Sequence, residues 1–260
     1  MQTGLCTITN TDWPVHDVLV LAAETGFDGV EVWGKDHVGN TDGADTADVE
    51  TCRRIADDAC ELGLDIPVYG SYLRAGTDGF RESLERELDA TASLGADLVR
   101  VWAGTQEYGG HDPDHWESVV SDLALAGERA AERGRAVTVE KHEGSLTNER
   151  EGAKRLIEAV DSPAVGLNWQ PLFFLDRDEL LAEAEALAPL TNNVHLQATR
   201  VRDGSRRCPL SEAYFDVASI LDVFDDAGLD GYAELEFVDP ETDYRRAVRD
   251  DYGFLSRTVP

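Results

Sequence analysis

Basic charge is what this sequence has least of. Of 260 residues, 23 are lysine or arginine against 52 aspartate or glutamate, a formal net charge of −29. Lysine nearly vanishes: Lys35, Lys141 and Lys154 are the only ones. Such a surface lacks the basic stripe that binding to phosphate backbones requires, so nucleic acid is excluded as a partner. The cysteines are few as well. Cys6, Cys52, Cys60 and Cys208 show no CxxC spacing, which argues against zinc ribbons and dithiol redox chemistry and favours reduced thiols. Cys52 and Cys60 are expected to share a helix face and pack. No apolar run approaches the ~18 residues of a membrane span. The opening MQTGLCTITNTDWP has neither the basic start nor the apolar stretch of a signal peptide. The expectation is a soluble cytoplasmic protein with no membrane partner.

The acidic residues are spread through ADTADVE, RESLERELDA, DRDELLAEAEA and DVFDDAGLD, on the polar faces of expected helices. A compact chain of that charge repels itself in dilute buffer, and the repulsion fades when salt shortens the screening length. The distribution reads as adaptation to a salty cytoplasm.

Apolar residues make up 42% of the chain, enough for a substantial core. They fall into short strand-like runs alternating with amphipathic helical stretches. LCTIT (5–9) precedes a helix over 15–25, and DGVEVWG (28–34) one within Asp45–Leu62. IPVYGSYL (66–73) precedes 79–94, and ADLVRVWAG (96–104) precedes 115–133. RAVTVEKH (135–142) leads to 148–160, and AVGLNWQP (164–171) to 178–187. NNVHLQATR (192–200) leads to 215–227, and GYAELEFV (231–238) to 242–254. GFDG, LGLD, LGAD and AGLDG mark the helix-to-strand returns. Alternation of this kind implies parallel pairing. Eight units in this length, with no linker between them, predict one (β/α)8 TIM barrel over residues 1–260. The alternative is an open doubly wound sheet, but no GxGxxG follows the first strand to support it.

Alternate residues of a barrel strand face the helices and the interior. In VTVEKH, Val137 and Val139 face out while Thr138, Glu140 and His142 face in. The same parity turns Glu31, Arg100, Asn168, Gln170, His195, Gln197 and Glu236 inward, most of them toward the C-terminal strand ends where barrel enzymes carry their sites. Carboxylates enter an interior only when paired or bound to a cation. Glu31 and Arg100 can form a buried ion pair, and Glu234 a deeper structural bridge. His111 and His115 read as a solvated loop and a helix start. Glu140, His195 and Glu236 are harder to explain by packing, and with the amides they outline an oxygen-rich site for a divalent metal.

These motifs, in this order, resemble the xylose isomerase-like barrels, a broad group of sugar isomerases and epimerases. GFDGVEVWG is similar to the family's second-strand motif, LVRVWAG to its fourth, VEKH to the fifth-strand Glu-x-His, VHLQ to the seventh-strand histidine and GYAELEF to the last strand. The resemblance implies one divalent metal (manganese, magnesium, zinc or cobalt) held by residues of strands five to eight. Glu140, His195 and Glu236 match that set. The sixth-strand motif, usually NWDPxH, reads NWQPLF here, so Gln170 replaces an aspartate and Phe173 a histidine. HLQA replaces HLKD, placing Gln197 and Ala198 at the lysine and aspartate positions. Gln170 could still offer a carbonyl oxygen as the fourth metal ligand, at the loss of one charge.

The resemblance implies a metal-dependent isomerase or epimerase of a small sugar or keto-sugar acting through an enediolate. Glu140 and Glu236 are then the proton acceptor and donor as well as ligands. His142, Asn168 and Gln197 are candidate substrate contacts, and Trp13, Trp33 and Trp102 a candidate apolar wall. Arg202 or Arg206 could meet a phosphate or carboxylate, with surface arginines as the simpler reading. A keto-inositol-type dehydratase uses the same chemistry and loses water. A metal-free sugar-binding barrel, suggested by Gln170, Phe173 and Ala198, is the alternative outside catalysis. A multi-zinc endonuclease is disfavoured by the acidic charge and the scarcity of histidines.

Overall fold

The computed structural model describes residues 1–39 and 47–259. Its strands are β1 (Gln2–Cys6), β2 (Gly29–Trp33), β3 (Val68–Arg74), β4 (Leu98–Trp102), β5 (Ala136–Glu140), β6 (Val165–Trp169), β7 (Thr191–Leu196) and β8 (Tyr232–Leu235). Each pairs in parallel with the next, and β1 pairs with β8 through Gln2 opposite Tyr232. The sheet therefore closes into a barrel, and the open-sheet alternative is overturned. The helices α1 (Val15–Thr25), α2 (Val49–Leu62), α3 (Phe80–Leu94), α4 (Pro113–Ala131), α5 (Arg150–Val160), α6 (Arg177–Leu187), α7 (Val217–Asp226) and α8 (Tyr244–Thr258) follow the strands in turn. No helix among the described residues is long and apolar enough to cross a membrane.

Helix ends follow local chemistry. Asp48, Asp176, Asp216 and Asp243 cap α2, α6, α7 and α8 by accepting backbone N–H bonds, and Glu179 completes a reciprocal capping pair with Asp176. In the LGLD and LGAD turns, Gly63 and Gly95 end α2 and α3 with φ of 73°, where a side chain would be strained. Along α5, Ala153, Leu156, Ile157 and Val160 recur at helical spacing and are buried against the barrel. The outward strand residues Val99, Val101, Val137, Val139, Val194 and Leu196 fill the layer between sheet and helices.

Two expectations need correction. The LCTIT strand is displaced: β1 ends at Cys6, and Thr7–Thr9 form a 3-10 turn. The Thr7 hydroxyl accepts the Trp33 N–H at 2.8 Å and lies 3.0 Å from His37 Nδ1, which draws the chain out of strand geometry. Cys52 is buried but Cys60 is exposed, because eight residues advance a helix by about 80° beyond two full turns. The expected α2 window began at Asp45; its first two positions lie outside the described residues.

Candidate active site

A pocket of about 440 Å³ opens at the C-terminal end of the barrel, lined by Arg100, Glu140, Gln170, Gln197 and Glu236 below and by Tyr72, Trp102, His142, Phe173 and Arg207 around its mouth. A larger groove of about 690 Å³, between α3 and α4, gathers no comparable set of catalytic side chains.

The pocket floor is a charge network from five strands. Arg100 Nη1 on β4 lies 2.7 Å from Glu140 Oε2 on β5, and Arg100 Nε lies 3.7 Å from Glu31 Oε1 on β2. His195 on β7 sits between carboxylates: Nε2 is 2.6 Å from Glu31 Oε2, and Nδ1 is 3.5 Å from Glu236 Oε1 just beyond β8. Small residues make room for these groups. A Cβ on Gly70 would stand 2.6 Å from Glu31 Oε1, and one on Gly4 would stand 2.6 Å from Glu234 Cγ.

Burial and neighbouring charges compete across this network. Burial raises the Glu140 carboxyl above its ordinary value, although Arg100 opposes the shift. Burial works the same way on Glu31, but His195 and Arg100 outweigh it and hold that group low. Glu234 has no such cation to itself. Burial and the nearby Glu31 push this third carboxyl up to about 8. Its Oε2 accepts a 2.6 Å bond from Asn193, as befits the deeper structural bridge expected of it. Burial alone pulls the His195 imidazole down, but Glu31, Cys6 and Glu236 outweigh it and hold the ring well above its usual value.

The amides form a second layer. Gln170 Nε2 donates to the Lys141 carbonyl at 2.8 Å and to Glu140 Oε1 at 3.2 Å. Its carbonyl accepts from Gln197 Nε2 at 2.9 Å, and the same nitrogen reaches Glu236 Oε2 at 3.0 Å. Gln170 thus presents N–H groups, not its carbonyl, to Glu140. To act as the expected metal ligand it would have to turn and release both Lys141 and Gln197.

Of the expected substrate contacts, His142, Trp102 and Gln197 line the pocket. The His142 and Trp102 ring centroids are 4.5 Å apart. His142 Nδ1 lies 2.6 Å from the Glu143 carbonyl, which can only accept, so Nε2 is the nitrogen left for a ligand. Four others are not brought in. Asn168 is wholly buried beneath the floor, where its carbonyl accepts from Asn193 at 3.1 Å. Trp33 stands behind Tyr72, donating to its hydroxyl at 2.7 Å, and Trp13 packs edge-on against Tyr244. Arg202 is exposed on the rim, bound to the Phe174 carbonyl at 2.7 Å and to Glu179 at 3.3 Å. The arginine that does face the pocket is Arg207, whose Nη1 donates to Gln197 Oε1 at 2.7 Å. Arg207 bridges back to Thr199 in a short antiparallel hairpin, a pairing that no periodicity in VRDGSRR announces.

The donor set fits a divalent cation. One ligand atom from each of Glu140, His195 and Glu236 lies within 4.8 Å of the other two. His195 Nδ1 is buried with no hydrogen-bond partner, as a nitrogen awaiting a cation would be. Glu31 at the opposite nitrogen supplies the carboxylate that commonly orients a metal-binding imidazole. A bound ion needs the Nδ1 lone pair, so its binding would release any proton held there. Cys6, Glu31, His195 and Glu234 form a second such group, but it is sealed from the pocket and already joined by the contact between His195 and Glu31.

Known proteins share this architecture. The chain is 24% identical to a 3-dehydroshikimate dehydratase of Bacillus anthracis over 174 residues, 65% of this chain and 61% of that protein. The crystal structure of the IOLI protein with a bound zinc atom superposes with a TM-score of 0.81 at 15% identity, over 100% of this chain and 98% of that one. D-psicose 3-epimerase in the presence of D-fructose superposes at 0.79 and 15%, over 100% and 99%. The sequence model described as xylose isomerase-like TIM barrel matches residues 19–257, and the chain belongs to that family.

Proposed function

We propose that this protein is an isomerase or epimerase that moves a proton on the carbon beside the carbonyl of a small polyhydroxylated substrate. The observation that carries this reading is the pair Glu140 and Glu236, two carboxylates facing one pocket across His195. Burial raises the Glu140 carboxyl above its ordinary value, which strengthens it as a base. It takes the proton from one face of the substrate carbon, and Glu236 returns a proton to the other face or to the neighbouring carbon. Gln197 holds Glu236 and Gln170 holds Glu140, so neither carboxylate must reorient during the transfer. His142 Nε2 binds a substrate hydroxyl above them, and Trp102 and Phe173 supply apolar walls. A divalent ion held by Glu140, His195 and Glu236 would supply the Lewis acid that stabilises negative charge on the substrate oxygen.

A second reading, elimination of water, uses the same pair of carboxylates. After Glu140 removes the α-proton, Glu236 gives a proton to the β-hydroxyl, which leaves as water, and a conjugated double bond remains. The similarity to a dehydratase points the same way. Proton NMR on a panel of ketoses and keto-polyols in deuterated buffer tests both readings. An isomerase or epimerase incorporates solvent deuterium and yields an isomer. A dehydratase yields an olefinic signal and new ultraviolet absorbance. Binding without exchange or elimination would leave a sugar-binding barrel and overturn both catalytic readings.

A further inference from the structure

The loop after β7 folds over the pocket as a short hairpin. Arg200 N–H donates to the Arg206 carbonyl at 2.9 Å, and Cys208 N–H to the Ala198 carbonyl at 3.1 Å. Gly204, at the tip with φ of 71°, rests against Phe173. Three arginines of this loop serve different ends. Arg200 pairs with Glu212 and Arg202 with Glu179, both on the outer surface. Arg207 alone turns inward. Its guanidinium carbon lies 3.8 Å over the Phe237 ring, and one nitrogen is fixed by Gln197. Its other nitrogens have no hydrogen-bond partner among the described residues, and none of them is sealed from solvent.

With 52 acidic residues available, half-buried Arg207 has no carboxylate at ion-pair distance among the described residues. Among the described residues Arg74 is the other half-buried arginine without a carboxylate at ion-pair distance, and it does not line the pocket. Arg100, the other guanidinium of the pocket, is already consumed by Glu140 and Glu31. Burial disfavours the Arg207 charge, and Glu236, which opposes that shift, is joined to it only through Gln197. A stacked, half-tethered guanidinium keeps its planar donor fork aimed at a planar acceptor.

We propose that Arg207 determines specificity by binding a carboxylate on the substrate, so that the natural substrate is a sugar acid or other hydroxylated keto acid. This rests on the proton-transfer reading of Glu140 and Glu236 and extends it to the far end of the ligand. A monoanionic carboxylate suits the site better than a dianionic phosphate. Only one guanidinium is uncommitted, and Glu140, Glu143 and Glu236 share the lining. The tether through Gln197 sets the spacing: the carboxylate end lies one side chain away from Glu236, and the reacting carbon sits between the two glutamates.

The test compares D-fructuronate with D-fructose, which differ only in a carboxylate for a hydroxymethyl group, by calorimetric titration at one fixed KCl concentration. The expected result is at least roughly tenfold tighter binding of the uronate, the scale of one charge-assisted contact. Arg207→Met should bring the two ligands within about twofold, and Arg207→Lys should restore part of the preference. Equal affinities in the wild type, no measurable uronate binding, or a preference that survives Arg207→Met would each overturn the proposal. Tighter binding of fructose 6-phosphate than of the uronate would overturn the choice of a carboxylate. The Glu236→Gln variant separates the two ideas. It should keep the uronate preference, and normal turnover by that variant would sink the proton-transfer reading while leaving the role of Arg207 standing.

Discussion

His195 Nε2 lies 2.6 Å from Glu31 Oε2, while the opposite nitrogen of the same ring, 3.5 Å from Glu236, has no hydrogen-bond partner. One carboxylate therefore fixes the ring so that the other nitrogen faces Glu236, which lines the pocket. Removing the charge of Glu31 should weaken that hold without emptying the space. Glu31→Gln is expected to lower manganese affinity by about 10-fold or more, the usual effect of losing a carboxylate behind a metal-binding histidine. Calorimetric titration with manganese chloride checks this, and unchanged affinity would remove Glu31 from the account.

Gln170 offers the reverse experiment. Its amide N–H groups face Glu140 and the Lys141 carbonyl. Gln170→Asp replaces them with a third carboxylate beside the pocket. Manganese affinity should rise by roughly tenfold, equivalent to about 1.4 kcal/mol. A titration showing no gain would mean that residue 170 does not reach the ion.

Much of this site was legible in the sequence because barrel parity is strict. Parity placed Glu140 in VTVEKH, His195 in NVHLQ and Glu236 in YAELEF on the inner face, and the structure brings the three together. What parity could not supply was depth. Asn168 and Gln170 share a face, yet one lies beneath the floor and the other lines it. Trp33 keeps the correct face but is cut off from the pocket by Tyr72, a residue from the next strand. Loops have no period at all, which is why Arg202 stood out in the sequence while Arg207 reaches the pocket. The LCTIT strand was misplaced because the side-chain bonds of Thr7 are invisible to apolar patterning.

Away from the site, Asp251 is 2% exposed and accepts the Leu210 N–H at 2.7 Å. Burial pushes its carboxyl up to about 7, from the usual 3.8. Between those values the folded chain binds more protons here than the unfolded chain does. The contribution of this group to stability is therefore full below about pH 4 and lost as pH rises through 7. Asp251→Asn keeps the acceptor and removes the charge. It should raise stability by about 1–2 kcal/mol at pH 8 and by little at pH 4. Thermal melts at the two pH values check it, and a gain that is equal at both would contradict the burial argument.

The formal charge of −29 predicts a strong dependence of stability on salt. At 0.1 M the screening length is about 10 Å, and at 1 M about 3 Å, shorter than most spacings between surface carboxylates. The melting temperature should climb steadily between 0.1 and 2 M KCl. A flat profile would show that self-repulsion is not what limits this fold.

The most direct test of the central claim is solvent deuterium incorporation into a turned-over keto substrate, followed by proton NMR for the wild type and for Glu236→Gln at matched metal occupancy. The account predicts loss of the signal of the proton beside the carbonyl in the wild type, and a rate lower by about 10²–10⁴-fold in the variant, the range that general acid–base groups contribute. Circular dichroism of the variant should be unchanged. Exchange at the wild-type rate in folded Glu236→Gln would contradict it.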